Sequence, residues 1–181
     1  VLGASAMVWR LAGEAGEALS RAEKALALAP PETRDRAYAE IEWGLVQVEL
    51  GRAEAAAPVL AKAVEFLDAK YPRVSAPQAD ALSALARLRL EAKQPASALQ
   101  MAERAAAFWR QANPESRWAA RAEMTLADVL VALGRPAETG YRRAEELFAA
   151  SRFPGDGERA KAAREAAHKA KLAQSPNPAS R

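Results

Sequence analysis

His168 is the only imidazole in the chain and cysteine is absent, so the side chains that most often supply a nucleophile or a metal ligand are almost missing. No pair of His and carboxylates has metal-ligand spacing, and there is no Gly-rich phosphate loop. Carboxylates are plentiful, 23 Asp and Glu in 181 residues. A charged helical chain scatters such pairs everywhere, however, and they act as acid and base only where a pocket sets their pKa values apart. The inventory predicts no enzyme, no catalytic residue, no cofactor and no metal. The chemistry left to these residues is recognition, and the elements that position them decide where.

Composition places those elements in an all-α protein. About a quarter of the residues are Ala, the strongest helix former, and β-branched residues are few, so summed propensity favours helix throughout and no sheet is expected. With 50% hydrophobic and 27% charged residues the chain reads as soluble and globular. The formal charge of +3 comes from 26 basic and 23 acidic residues, too balanced to announce nucleic acid or lipid as the partner. The apolar start from Val1 to Trp9 is interrupted by Arg10, well short of the roughly 18 apolar residues that span a bilayer. A start at Val1 rather than Met suggests a module of a larger protein, cytoplasmic by expectation, with a periplasmic or extracytoplasmic part of an anchored protein as the alternative.

Three times a turn residue closes one helical segment and an Ala-containing helix opens behind it: at Gly51-Arg52, at Lys93-Gln94-Pro95 and at Gly134-Arg135-Pro136. A degraded fourth copy lies at Gly13-Glu14, so the unit recurs at spacings of about 38, 42 and 41 residues, the range of stacked repeats. The punctuation predicts helix hairpins over about 1–30, 33–70, 76–112 and 114–151, a capping helix over about 157–173, and a frayed tail over 175–181, in one domain covering 1–174. Ser75 with Gln78 reads as a capping box, and Asn113-Pro114-Glu115 reads as an N-cap, a Pro at the first helical position and a first-turn acid. Thr139-Gly140 weakens the last hairpin where other copies carry Ala. The final helix presents Arg159, Lys161, Arg164, His168, Lys169 and Lys171 over an apolar face of little more than Ala, which fits a solvated cap better than a nucleic-acid or membrane contact.

At these residues the chain resembles the tetratricopeptide repeats (TPR), whose pattern carries Leu-Gly on the first helix and Ala-x3-Phe on the second. The second copy matches best, with Trp43-Gly44 at the Leu-Gly position, Gly51 at the turn and Ala56, Leu60 and Ala63 beyond it. The third copy has Leu85-Ala86 and the fourth Leu126-Ala127, so periodicity carries the resemblance more than any motif. Spacings near 40 rather than about 34 residues resemble the longer kinesin-light-chain repeats. The run Phe108-Trp109-Arg110, Asn113-Pro114, Arg117-Trp118-Ala119 is similar to repeat regions at the carboxyl end of bacterial serine/threonine kinases.

The resemblance implies a right-handed α-α superhelix of about four helix hairpins plus the capping helix, with first helices lining a concave groove that binds a peptide or helix of a partner protein. Carried onto this sequence, the groove residues are Tyr38, Ile41, Leu45, Val48 and Glu49 in the second repeat. They are Asp80, Ser83, Arg87, Leu90 and Glu91 in the third, and Arg121, Met124, Asp128 and Val131 in the fourth. Family members that bind chaperones capture a terminal carboxylate with paired Lys, Arg and Asn residues. Here the only Asn residues are Asn113 and Asn177, in a linker and the tail, so that ligand class is not expected. The function implied is a protein-interaction scaffold, the alternative being a regulatory or sensor domain that controls an attached kinase-like domain or binds a small ligand.

The helical wheel agrees with this division, since Trp43, Gln47 and Leu50 lie roughly opposite Tyr38, Ile41, Leu45 and Val48 at 100° per residue. A helix apolar on both sides is buried on both sides, so something should cover the second set. A partner's apolar side chain would do so, and so would the segment Val1 to Leu11 of this chain, the favoured reading because helical superstructures cover their ends. Self-association through an uncapped end stays open. The groove charges alternate in sign and are read mainly as self-neutralising. Trp9, Trp43, Trp109 and Trp118 are expected in packing, with Trp109 or Trp118 pinning the Asn113-Pro114 turn.

Overall fold

A computed structural model describes Met7, Val8, Arg10 and residues 12–174. Among the described residues every regular element is helical: α1 (Ala15–Leu28), α2 (Arg34–Glu49), α3 (Ala53–Lys70), α4 (Ala76–Glu91), α5 (Pro95–Ala112), α6 (Arg117–Ala132), α7 (Glu138–Ala150) and α8 (Asp156–Gln174). The predicted frayed tail 175–181 lies outside the described residues. The chain divides into two compact units, Val1–Leu88 and Arg89–Arg181.

The three repeat turns share one backbone geometry. After α2, the Gly51 N–H donates to the Val48 carbonyl and the Arg52 N–H to the Gln47 carbonyl. After α4 the same two bonds run from Lys93 to Leu90 and from Gln94 to Arg89, and after α6 from Gly134 to Val131 and from Arg135 to Leu130. This is the Schellman closure, which puts its turn residue in the left-handed region. Gly51 (φ 75°), Lys93 (φ 58°) and Gly134 (φ 67°) all occupy it. Lys93 does so against a steric cost of about 1–2 kcal/mol that the two glycines avoid.

In the first unit α1 packs on α2 and α2 on α3. Ala18, Ala22 and Ala25 form the buried stripe of α1, and Ile41, Val46, Leu60 and Leu67 are buried in the core of the same unit. Arg36 donates to the Leu26 carbonyl at 2.7 Å, satisfying a terminal carbonyl of α1 from the neighbouring helix. The closest approach is at Gly44, where an added Cβ would lie 2.6 Å from Cγ of the fully buried Leu60. A side chain at Gly44 would gain about 1 kcal/mol in helix propensity and lose about 1–3 kcal/mol to overpacking. Gly44→Ala is therefore expected to lower stability by up to about 2 kcal/mol, read as a lower urea midpoint with an unchanged slope. A midpoint at or above that of the parent would mean that α3 retreats without cost.

In the second unit α5 packs on α6, α6 on α7 and α7 on α8. Gly140, expected to weaken the last hairpin, brings α7 close to α6, and a Cβ there would sit 3.1 Å from the Ala127 Cβ. The last helix buries Ala160, Ala163, Ala167 and Ala170 together with Asp156 and exposes its other charges.

Two local expectations are corrected. The N-cap of α6 is Ser116, whose hydroxyl accepts from the Ala119 N–H at 3.1 Å and donates to the Asn113 carbonyl at 2.7 Å, so α6 starts at Arg117. Asn113-Pro114-Glu115 instead forms the preceding turn, for which Pro at the second position is equally suited. The Ser75 box forms by half: the Ser75 N–H donates to Gln78 Oε1, but the Ser75 hydroxyl has no partner among the described residues.

Candidate functional site

The predicted groove residues hold a common register. Tyr38, Asp80 and Arg121 stand thirteen residues before their turn residues, and Ile41, Ser83 and Met124 ten. Leu45, Arg87 and Asp128 stand six before, and Val48, Leu90 and Val131 three. Each unit treats these positions in its own way.

In the first unit Ile41 is fully buried and Leu45 nearly so, both in the core. Tyr38, Val48, Asp80 and Ser83 are half-buried, while Glu49 and Arg87 are exposed. Of the N-terminal segment expected across α2, Arg10 is described and lies there, whereas Val1–Ala6, Trp9 and Leu11 lie outside the described residues. The Arg10 guanidinium is 1% exposed and donates to Glu42 Oε2 at 3.3 Å and Glu49 Oε1 at 3.2 Å, while its Nη2 has no partner among the described residues. Burial alone would lower its pKa, but the charges of Glu42, Glu49 and Asp80 outweigh that and raise it. Glu42 shows the converse, its carboxyl raised by burial despite Arg10.

In the second unit Leu90, Arg121, Met124 and Asp128 are half-buried, and Val131 is 47% exposed. Met124 packs against a buried cluster of Ala127, Ala137, Tyr141, Ala167 and Ala170, contributed by α6, the start of α7 and α8. Asp128 accepts from the Tyr141 hydroxyl at 2.7 Å, and burial together with that bond raises the phenol well above its ordinary pKa. Asp128 is thus tied to the second helix of its own hairpin.

Behind that face is a polar and aromatic lock. Trp109 and Trp118 stack with centroids 5.8 Å apart across the α5–α6 turn, and Phe153 meets Trp118 edge-on. The Arg117 guanidinium lies 4.4 Å from the Phe153 ring centroid and donates to Asp156 Oδ1 at 2.9 Å. Asp156, fully buried, also accepts from Ser151 and Arg159 at 2.6 Å each. Burial alone would raise its pKa, but these three donors hold it below the usual carboxylate value. Arg10, Glu42, Arg117 and Asp156 were not among the residues singled out from sequence. The available signal was a charge inside an apolar run, as in Ile41-Glu42-Trp43.

Among the described residues no group of three or more His, Cys, Asp or Glu could hold a metal ion, and no helix is long and apolar enough to cross a membrane. No protein-family model matches the chain, and no curated protein matches it. Solved structures do. A kinesin light chain-like protein from Podosopora anserina with nearly identical TPR-like repeats superposes with a TM-score of 0.61 at 16% identity, covering 97% of this chain and 96% of that one. BtubC (BKLC) from P. vanneervenii gives 0.57 at 18% identity, over 92% of this chain and 75% of that one. The fold is TPR-like.

The likeness is one of fold, and it explains the shared register. In TPR-like repeats the close helix pair needs a small residue on the first helix, and Gly44, Ala86 and Ala127 supply it at the same distance from their turns. All three are buried.

Proposed function

We propose that this protein is a non-enzymatic scaffold that binds a segment of a partner protein within its second unit, at the end of α4 and along the exposed face of α6. One observation carries the reading. Three residues before each repeat turn the side chain is apolar, Val48, Leu90 and Val131, yet none of the three is buried, and Val131 is 47% exposed. Apolar side chains held at a repeated, solvent-accessible position on rigid helices suit a surface that another chain covers. The TPR-like fold supports the same reading, because packed helix pairs leave little ordering cost on the scaffold side when a partner docks. The charges of the second unit at these register positions, Arg121 and Asp128, would then set orientation more than affinity.

The test uses a displayed library of random peptides panned against the whole chain. Peptides are expected to be enriched and to lose about tenfold or more in affinity when Leu90→Lys or Val131→Lys is introduced. Both side chains are partly exposed, so the helical circular dichroism of the variants should match the parent. Failure to enrich any peptide, or enriched peptides indifferent to both substitutions, overturns the proposal.

A further inference from the structure

The first unit contains a hollow of about 380 Å³ formed where the start of α2, the end of α3 and the linker into α4 meet. Its apolar walls include Tyr38, Tyr71, Leu67 and Val74. Two guanidiniums line it, Arg34 and Arg73, and no carboxylate does. Neither has an ion-pair partner among the described residues. Arg34 is held over the Tyr71 ring, 5.2 Å from its centroid, so one cation is positioned at the wall rather than free to swing into solvent. The Ser75 hydroxyl, which lines the same hollow, is buried and has no hydrogen-bond partner among the described residues.

A buried hydroxyl without a partner is costly unless a ligand completes it, and two guanidiniums with no carboxylate in the lining, Arg34 held over the Tyr71 ring, make the hollow positively charged. A hollow of about 340 Å³ in the second unit, between α5, α6 and the start of α7, is different. There Arg110 is bound by both carboxylate oxygens of Glu123, and Arg143 is paired with Glu115, so its cations are already neutralised. We infer that the hollow at Arg34, Tyr38, Tyr71, Arg73 and Ser75 binds a phosphate monoester carried on an aromatic side chain of a partner segment. A phosphate monoester carries close to −2 at neutral pH and offers three acceptor oxygens, matching two guanidiniums and a hydroxyl. A carboxylate would leave one cation unmet. Arginine suits this role because its planar fork donates two bonds to one oxyanion. The tyrosine rings and Leu67 take the aromatic body, as pockets of this size take small ligands.

The proposal rests on the scaffold reading only for the source of the phosphoryl group, and its test is separate from peptide panning. Phenyl phosphate, inorganic phosphate and benzoate are titrated into the isotope-labelled whole chain while the backbone amides of Tyr71, Arg73, Val74 and Ser75 are followed by NMR. Phenyl phosphate is expected to shift these amides, with binding about tenfold tighter than either inorganic phosphate or benzoate. Arg34→Gln and Arg73→Gln, both at exposed positions, should each weaken phenyl phosphate by about tenfold, and Ser75→Ala by a smaller factor. Benzoate binding as tightly as phenyl phosphate would make this a carboxylate site and overturn the proposal. Inorganic phosphate binding as tightly would deny the walls a role, and no shift of these amides or no effect of either Arg substitution would remove the site. Because the peptides in the panning experiment carry no phosphate and are read at Leu90 and Val131, either result can fail alone.

Discussion

Replacing Asp156 with Ala should cost about 3–5 kcal/mol, the range for breaking a buried ion pair by removing one partner. Asp156 is fully buried, and Arg117, 7% exposed, would be left with the Phe153 ring as its main remaining contact. A cation over a ring is worth about 0.5–2 kcal/mol, too little to replace a carboxylate. The lost donors come from both sides of the turn into α8, from Ser151 and Arg159, so docking of that helix should suffer first. Hydrogen exchange of the α8 amides should accelerate before the rest of the second unit opens. Asp156→Asn keeps the shape and one acceptor oxygen, and should lose about 1–3 kcal/mol. The pH dependence has a fixed sign. The folded carboxyl is held below its unfolded value, so its contribution is complete above the ordinary carboxylate range and is lost as pH falls below that range toward the lower folded value. The gap between parent and Asp156→Asn in urea should therefore be widest near neutrality and shrink below about pH 4. A gap that stays constant down to acid pH would show that Asp156 acts by shape and not by charge.

The turns were legible in the sequence because their constraint is local. A glycine at Gly51 or Gly134 meets a left-handed backbone requirement within a few residues, and Pro95 marks the helix start after Lys93 in the same way. The helix bounds that follow from these turns agree with the observed ones to within a few residues. The N-cap of α6 was misread for a local reason as well, since Asn113-Pro114 and Ser116 both offer acceptable starts. The deciding bond, Ser116 to the Ala119 N–H, depends on which start the Trp109–Trp118 stack permits. The ion pairs were not legible. Arg10 and Glu49 are 39 residues apart, as are Arg117 and Asp156, which is about one repeat. Hydrophobic periodicity reports which side of a helix is buried, but not which charge on the next repeat it will meet there. That also explains the mixed outcome at the predicted groove. The wheel grouped Ile41 and Leu45 with Tyr38 and Val48, yet the first two enter the core while the others keep partial exposure. A wheel built at 100° per residue separates faces and not depths.

Among the described residues before α1, Arg10 is tied to α2 through Glu42 and Glu49, and Arg10→Met should be comparably destabilising, by about 3–5 kcal/mol. The long apolar side chain fills much of the same space, so the loss comes from charge. Glu42, with a side chain 7% exposed, would be left buried beside Glu49 and Asp80 without a cation. Its carboxyl is already raised by burial in the parent, and removing Arg10 raises it further. A group whose folded pKa lies above its unfolded value contributes stability at low pH and loses it as pH rises. The Arg10→Met deficit should therefore be smallest near pH 4 and grow toward neutrality, the same direction as the Asp156→Asn gap but arising from a carboxyl that the fold raises rather than lowers. Arg10→Met combined with Glu42→Met should regain most of the loss, because exchanging a whole buried pair for apolar side chains of similar size is near neutral or stabilising. Urea unfolding of the parent, both single variants and the double variant closes the cycle and gives the coupling directly. Additive single losses would mean that Arg10 and Glu42 do not act as a pair. In that case the side chains that bury Ile41 and Leu45 would hold the first unit without help from this ion pair.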